Sequence, residues 1–263
     1  MTTFQKIVKY LALALAIALM IGIITLVAEI ITMFDDSSSK ELQEIVLEET
    51  EFNNIDVDIE ACSLDIKNSD KFQIFTDSND VNCKIENDTL IIKEKEKSIF
   101  RHDEKSIVIY LPTDFSANEV SITGGAGRIN VEYLSCQELD FEIGAGSVSF
   151  SQLFVSESAK ISGGVGSFDI KSGKIQIFDI ELGVGSADIT AQIFNAEIEA
   201  GIGDLILNLE GSADDYTIRS EAGIGDIIID NNRIEGNATT GNGDSIIKIS
   251  GGISSITVNF THE

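Results

Sequence analysis

Hydrophobic and polar residues alternate along most of the chain beyond residue 50, and such alternation predicts β-strands with one buried face. Within residues 51–111 it is seen in NNIDVDIEA, SLDIKNS, KFQIFTD, VNCKIEN and SIVIYLP. Further on, ELDFEI and IQIFDIEL show the same period of two. The three- and four-residue spacing of an amphipathic helix does not fit these positions. The sequence therefore predicts an all-β fold for this part of the chain.

Glycine pairs of the form Gly-x-Gly recur about every 19 residues from residue 125 onward. A fixed period of this length is typical of a solenoid, in which each coil contacts the coils before and after it. Glycine at a repeated corner allows a positive φ and a close approach of neighbouring backbones. The predicted corner pairs are Gly125 and Gly127, Gly144 and Gly146, Gly164 and Gly166, Gly183 and Gly185, Gly201 and Gly203, Gly223 and Gly225, and Gly241 and Gly243.

The sixth residue after the first glycine of each pair is apolar in every repeat. The residue two places earlier is apolar in most repeats, and a separation of two puts both side chains on the same face of a strand. Coils stacked about 4.8 Å apart would join these side chains into one buried ladder. We therefore predict a parallel β-solenoid, or β-helix, with coils of roughly 19 residues. The predicted core ladder is Val131, Phe150, Ile170, Ile189, Leu207, Ile229 and Ile247.

The N-terminus has a different pattern, because residues 8–28 contain neither a charge nor a proline. A helix of this length, at ~1.5 Å per residue, spans a bilayer core of ~30 Å. Lys6 and Lys9 precede the run, and Asp35 and Asp36 follow it. Positive charge stays in the cytoplasm, so we predict a single-pass cell-membrane protein with a cytoplasmic N-terminus and an extracytoplasmic C-terminal domain. A cleaved signal peptide is the alternative, although its apolar region would be shorter.

These patterns divide the chain into four predicted regions. Residues 1–34 form a short cytoplasmic tail and the transmembrane anchor, and residues 35–50 form a polar linker. Residues 51–118 form an N-terminal β-strand region that caps the solenoid. Residues 119–263 form the solenoid of Gly-x-Gly repeats.

Charge narrows the choice of partners, since the formal net charge is −26 at pH 7. Such an acidic protein repels nucleic acid and favours cationic partners or divalent ions, so no nucleic-acid partner is expected. The three cysteines, Cys62, Cys83 and Cys136, lack the spacing of a zinc site. Small buried thiols are the simplest interpretation. A Cys62–Cys83 disulfide is the alternative outside the cytoplasm.

Polar residues directly follow the glycine pairs, and in the last three repeats these are Asp204, Asp226 and Asp244. In one interpretation each carboxylate accepts a hydrogen bond from a backbone N–H at its corner. In the other, the three aspartates hold Ca²⁺, since this hard cation prefers oxygen ligands. No other cofactor is expected.

No catalytic residues are predicted. A strand follows each glycine pair, whereas a dinucleotide site needs Gly-x-Gly-x-x-Gly before a helix. The two histidines, His102 and His262, lie in a charged segment and next to the C-terminus, where neither would be held as a catalytic base. The sequence therefore predicts a protein without enzyme activity.

A TLII strand, an IYLP strand and Gly-x-Gly-Asp/Ser repeats behind one N-terminal membrane segment resemble a known bacterial family. This is the "putative adhesin" β-strand-repeat domain of unknown function, and the resemblance covers roughly residues 50–260. It implies a β-solenoid and a membrane-anchored location in the cell envelope, with some members encoded near envelope-stress systems. It brings no catalytic residues.

Together these observations predict a non-catalytic, membrane-anchored module with a binding, adhesin-like or scaffolding role at the cell envelope. The expected partners are an envelope protein or a cell-wall glycan, besides the membrane itself. Two alternatives stay open. One is a polysaccharide-active β-helix enzyme, and the other is a structural spacer stabilised by Ca²⁺.

Overall fold

A computed structural model describes residues 41–94, 105–221, 223–234 and 236–261, and most of these residues are in strands. The all-β prediction is therefore confirmed. The predicted transmembrane segment, residues 8–28, lies outside the described residues. Within the described residues, no helix is both long and apolar enough to cross a bilayer.

Fifteen strands and one 3-10 turn follow one another along the chain. The strands are β1 (Gln43–Glu44), β2 (Asn54–Ser69), β3 (Gln73–Thr76), β4 (Val81–Glu86), β5 (Thr89–Glu94), β6 (Lys105–Pro112), β7 (Ala117–Val131), β8 (Leu134–Phe150), β9 (Leu153–Ile170), β10 (Gly173–Glu210), β11 (Tyr216–Glu221), β12 (Ile227–Ile229), β13 (Asn232–Ile234), β14 (Ala238–Gly241) and β15 (Ser245–Thr261). The 3-10 turn is Ala213–Asp215, between β10 and β11.

Successive long strands lie on one another in parallel and in register. β2 pairs with β7, β7 with β8, β8 with β9, and β9 with the first half of β10. The register aligns Val131 with Phe150, Phe150 with Ile170, and Ile170 with Ile189, and all four side chains are buried. Each coil thus places its apolar side chains directly above those of the previous coil, which buries a row that one coil could not bury alone.

The order of the coils departs from the order of the sequence at the C-terminal end. β15, the last strand, lies between the second half of β10 and the strands β11 and β12. The ladder therefore runs from Leu207 to Val258 and then to Ile229. The cause is a hairpin between β12 and β13, where Asp230 and Asn231 take φ values of 48° and 62°. Two positive φ values form a tight turn that reverses the chain, so β12 does not continue into another coil.

This order corrects one position of the predicted ladder and one predicted glycine pair. Ile247 is buried, but it aligns with Ala196 and Ile218 and so belongs to a different row. Gly241 and Gly243 are not at the corner, since Gly241 ends β14 and pairs with Thr217 of β11. In β15 the corner is formed by Gly252 and Ser254, because Ser254 aligns with Gly203. The period was misassigned because the segment that holds the hairpin β12–β13 and strand β14 is about as long as one coil.

Antiparallel strands cover both ends of the stack. At one end, β3 pairs with β6 and β4 pairs with β5, and β5 and β6 both lie beside β2. At the other end, β13 pairs with β12 and β14 pairs with β11. Residues 51–118 therefore supply the first coil, β2, as well as the strands that cover it. Covered edges matter because an open parallel edge would recruit further strands.

Candidate binding surface

The glycine pairs form a corner at which neighbouring coils come close together. The second glycines of the pairs have φ between 138° and 153° and stack on one another. A Cβ atom on Gly146 would lie 1.9 Å from the carbonyl oxygen of Gly127, and one on Gly166 would lie 1.7 Å from that of Gly146. A side chain would therefore clash with the previous coil as well as strain the backbone. The pairs at this corner are Gly125 and Gly127, Gly144 and Gly146, Gly164 and Gly166, Gly183 and Gly185, Gly201 and Gly203, and Gly223 and Gly225.

An apolar row runs along the outside of this corner, formed by the residue between the two glycines of each coil. We call it the corner ridge. Its side chains grow larger from one end of the stack to the other, and Ile253 and Ile224 at the far end are 48% and 72% exposed. In stacking order the corner ridge is Ala126, Ala145, Val165, Val184, Ile202, Ile253 and Ile224.

A groove of about 630 Å³ borders the first glycines of the pairs. Its rim carries the exposed carboxylates of Glu142, Glu181 and Glu199, which we call the acidic bank, together with Ser162 and Ser250. Each bank position comes three positions before the ridge position of its own coil, so bank and ridge run side by side along the stack. Within the described residues, no carboxylate of the acidic bank forms an ion pair. Each therefore has capacity for a cation.

The corner itself offers little room for a ligand. A cavity of about 40 Å³ lies there, and it is lined by Val165, Val184 and Ile202 of the corner ridge as well as by core residues such as Val148 and Phe168. Ser254 reaches it with a hydroxyl that has no hydrogen-bond partner in the described part of the chain. This volume suits one or two water molecules.

The structure does not bring Asp204, Asp226 and Asp244 together. Asp204 aligns with Ser255 of β15 on one side. On the other side, the backbone N–H of Ile256, also in β15, donates to the carbonyl oxygen of Asp226, so β15 lies between the two aspartates. Asp226 also pairs with Arg233. Asp244 lies in a different cleft. The predicted Ca²⁺ set is wrong as a set, because it assumed that the coils stack in sequence order. Across the described ranges, no three His, Cys, Asp or Glu side chains are grouped to hold a metal ion.

The cysteines add no chemistry to this surface. Cys62, Cys83 and Cys136 are thiols, so the Cys62–Cys83 disulfide is not formed. Burial raises the pKa of Cys136 to about 12 and that of Cys83 to about 11, which keeps both thiols protonated and unreactive at neutral pH. His102 and His262 lie outside the described residues.

The corner ridge was missed by the sequence reasoning, although its signal is visible there. The residue inside each glycine pair changes from alanine to valine to isoleucine along the chain. Counted from the strand that follows the corner, this position faces away from the core, so repeated apolar residues there indicate a partly exposed apolar row. The acidic bank needed the stacking register to be recognised, because its members are interrupted by serine.

Parallel coils that stack in register, with both ends of the stack covered, define the class of repeat-built β-proteins. Within that class, the chain belongs to the Toastrack DUF4097 family, which matches residues 37–251. No curated protein matches the chain.

The chain is similar to several solved structures, and the first of those named here shares its fold. A putative adhesin from Bacteroides fragilis is 20% identical with a TM-score of 0.56, and the match covers 84% of this chain and 98% of that one. A putative adhesin from Parabacteroides distasonis is 17% identical with a TM-score of 0.34, over 83% of this chain and 98% of that one. A putative cell adhesion protein from Clostridium sporogenes is 14% identical with a TM-score of 0.34, over 84% and 98%.

Proposed function

We propose that this protein is a non-catalytic binding or scaffold module, anchored in the cell membrane by residues 8–28, with its coil stack outside the cytoplasm and a role in envelope-stress signalling. The corner ridge is the observation that carries the binding role. Ile253 and Ile224 at its far end are 48% and 72% exposed, and the other members of the row are half-buried, whereas the ladder side chains of the same coils are buried. Contiguous exposed apolar surface of this kind marks interaction sites.

The membrane location is supported by the uncharged run of residues 8–28 and the charges on either side of it. Intact and opened cells expressing the full chain would be treated with protease. We expect the coil stack to be cleaved from the outside in intact cells, with the N-terminus protected. Protection of the coil stack in intact cells would contradict this orientation.

The binding role is tested with the full chain in detergent, mixed with isolated cell-wall glycan and, separately, with envelope extract. We expect saturable retention of a partner and no release of sugar fragments. Release of fragments would instead support a polysaccharide-active enzyme, and a protein that neither binds nor cleaves would be a mechanical spacer.

A matched pair of variants connects binding to the surface. Val184→Ser with Ile202→Ser changes the corner ridge. Ile177→Ser with Ile206→Ser changes two isoleucines that are 52% and 40% exposed elsewhere. The first pair should weaken retention and the second should leave it unchanged.

A further inference from the structure

A cleft of about 600 Å³ lies where β10, β11 and the start of β15 meet, and it shares no residue with the corner ridge or the acidic bank. Its volume falls within the ~300–1,000 Å³ that is typical of small-ligand sites. We propose that this cleft binds an uncharged glycan. This inference rests on the proposed binding function and adds to it a second site and the chemical class of the ligand.

The walls of the cleft are held in place by hydrogen bonds within the protein. In the 3-10 turn, the Ser212 hydroxyl accepts the N–H of Asp214 at 3.3 Å, and the Asp215 carboxylate accepts the N–H of Ser212 at 2.9 Å. The Thr217 hydroxyl donates to the carbonyl oxygen of Gly243 at 2.7 Å, which ties the segment before β15 to β11. Walls that are already ordered lower the entropy cost of binding a ligand.

Side-chain amides with unused hydrogen-bonding capacity line this cleft. Within the described residues, the amides of Gln192 and Asn242 form no hydrogen bond, and the carboxylate of Asp244 accepts none. An amide both donates and accepts, whereas a carboxylate only accepts. Each hydroxyl of a sugar also donates and accepts, so amides and carboxylates together match the successive hydroxyls of a sugar ring.

Phe194 gives the cleft an apolar wall. Its ring is half-buried, and the ammonium group of Lys174 lies 5.3 Å from the ring centroid. Lys174 belongs to the preceding coil and does not line the cleft, so the ring keeps part of its surface toward the cleft. The C–H face of a sugar ring packs on such a surface while its hydroxyls reach Gln192 and Asn242.

The charges at the cleft exclude other classes of ligand. Four carboxylates and, among the described residues, no lysine or arginine line it, so an anionic sugar is repelled. These carboxylates do not form a metal site, since no three His, Cys, Asp or Glu side chains in the described ranges are grouped to hold an ion. An ammonium ion would give the two amides no acceptor. A neutral sugar uses the amides, the ring and the carboxylates together. The carboxylates are those of Glu210, Asp214, Asp215 and Asp244.

The test titrates the full chain in detergent with uncharged hexasaccharides of glucose, mannose, galactose and N-acetylglucosamine, followed by calorimetry. We expect saturable binding of at least one of them, with an affinity that added NaCl changes less than about twofold, because an uncharged ligand forms no ion pair that salt could screen. A galacturonic acid hexamer should bind at least about tenfold more weakly than the best neutral sugar, since its carboxylates are repelled. Absence of binding by all four neutral sugars would overturn the proposal.

Two double variants that each remove two amides locate the site. Gln192→Ala with Asn242→Ala changes the cleft, whereas Gln152→Ala with Gln176→Ala changes two exposed amides outside it. We expect about tenfold weaker sugar binding for the first pair and less than about twofold for the second, because each hydrogen bond to a ligand contributes a few-fold. Similar effects of both pairs would place the sugar elsewhere and overturn the site.

A pair of ring substitutions tests the apolar wall. Phe194→Leu removes the ring that lines the cleft, and Phe154→Leu removes a half-buried ring that packs on Tyr133 and lies outside the cleft. The first should weaken sugar binding at least about threefold and the second should leave it unchanged, since leucine offers no flat face to a sugar ring. Urea midpoints show that both variants are folded. An unchanged affinity in a folded Phe194→Leu variant would overturn the proposal.

Failure of this site is distinguishable from failure of the proposed function. If only a cationic glucosamine hexamer binds, and added NaCl abolishes its binding, the carboxylates attract cations and the glycan proposal is overturned. If no sugar binds, but envelope extract yields a partner that Val184→Ser with Ile202→Ser releases, the cleft assignment fails while the binding function stands. A chain that binds neither sugars nor any envelope partner would overturn both.

Discussion

At the scale of single residues, the position of a side chain relative to the corner determines what a substitution costs. Along one strand, successive side chains alternate between the buried core and the exposed surface. Ile189 is fully buried in the ladder, whereas its neighbour Asp188 faces out and accepts a hydrogen bond of 3.0 Å from the amide nitrogen of Asn208. Adjacent residues therefore provide the sharpest test of the strand faces.

Ile189→Ala should lower the free energy of unfolding by about 2–5 kcal/mol, because it removes packed atoms and leaves a cavity between two coils. Asp188→Ala should cost less than about 1 kcal/mol, since only one exposed hydrogen bond is lost. Urea denaturation measures both. Equal losses would show that the strand faces are wrongly assigned.

Two neighbouring glycines allow a similar comparison at the corner. Gly166 has a φ of 148° and no space for a Cβ, whereas a Cβ on Gly163 would make ordinary contacts, 3.7 Å from the Leu182 side chain and 3.9 Å from the carbonyl oxygen of Glu181. Gly166→Ala should therefore destabilise the fold by about 3 kcal/mol or more. Gly163→Ala should stay within about 1 kcal/mol of the parent. Thermal and urea unfolding of the two variants would check this, and a tolerated alanine at residue 166 would contradict the geometry.

At the scale of elements, the first coil has no preceding coil to accept the backbone N–H groups at its corner. Glu94, at the end of β5, accepts two of them. One of its carboxylate oxygens accepts the backbone N–H groups of Glu60 and Ala61 at 2.8 and 3.1 Å, and the other pairs with Lys105. The Glu94 and Lys105 side chains are 5% and 11% exposed. A buried charge thus caps the corner where the stack begins.

Glu94→Ala should destabilise the protein by about 3–5 kcal/mol, because it leaves Lys105 as an uncompensated buried charge and two N–H groups without an acceptor. Glu86→Ala is the matched control, since Glu86 forms an exposed pair with Lys84. That variant should change the urea midpoint little. If both variants unfold at the same midpoint, the cap at Glu94 has no structural importance.

At the scale of the whole molecule, the stack is closed by strands from different parts of the sequence. β15 fills the level between β10 and the pair β11 and β12, so Ser245–Thr261 lies inside the stack and not at its end. The C-terminal end is consequently a cooperative unit and cannot be shortened coil by coil as a simple solenoid could.

A chain ending at residue 243 should lose most of its protection from amide hydrogen exchange in β11 and β12, because both strands would lack their parallel neighbour β15 and the antiparallel pairs that remain are only marginally stable alone. A chain ending at residue 261 should keep that protection. Hydrogen exchange followed by mass spectrometry measures the difference. Retained protection in the shorter chain would contradict the observed order of the coils.

Much of the fold could be predicted from the sequence, because the repeat period and the alternation of buried and exposed residues are local properties of the chain. Val131, Phe150, Ile170, Ile189 and Leu207 could be assigned to one row from spacing alone, since each coil repeats the same corner and the same alternation. The acidic bank could not, because its members become neighbours only after the coils are placed in register.

Alternation and the glycine period by themselves determined an all-β chain with buried rows and tight corners, because backbone geometry fixes which side chains share a face. Only the tertiary structure decided which coil lies on which at the C-terminal end. Ile247 and Val258 are both buried and similar in size, so either could fill a level of the ladder. The hairpin at Asp230 and Asn231 and the pairing of β15 with β10 selected Val258, and with that choice they separated Asp226 from Asp204.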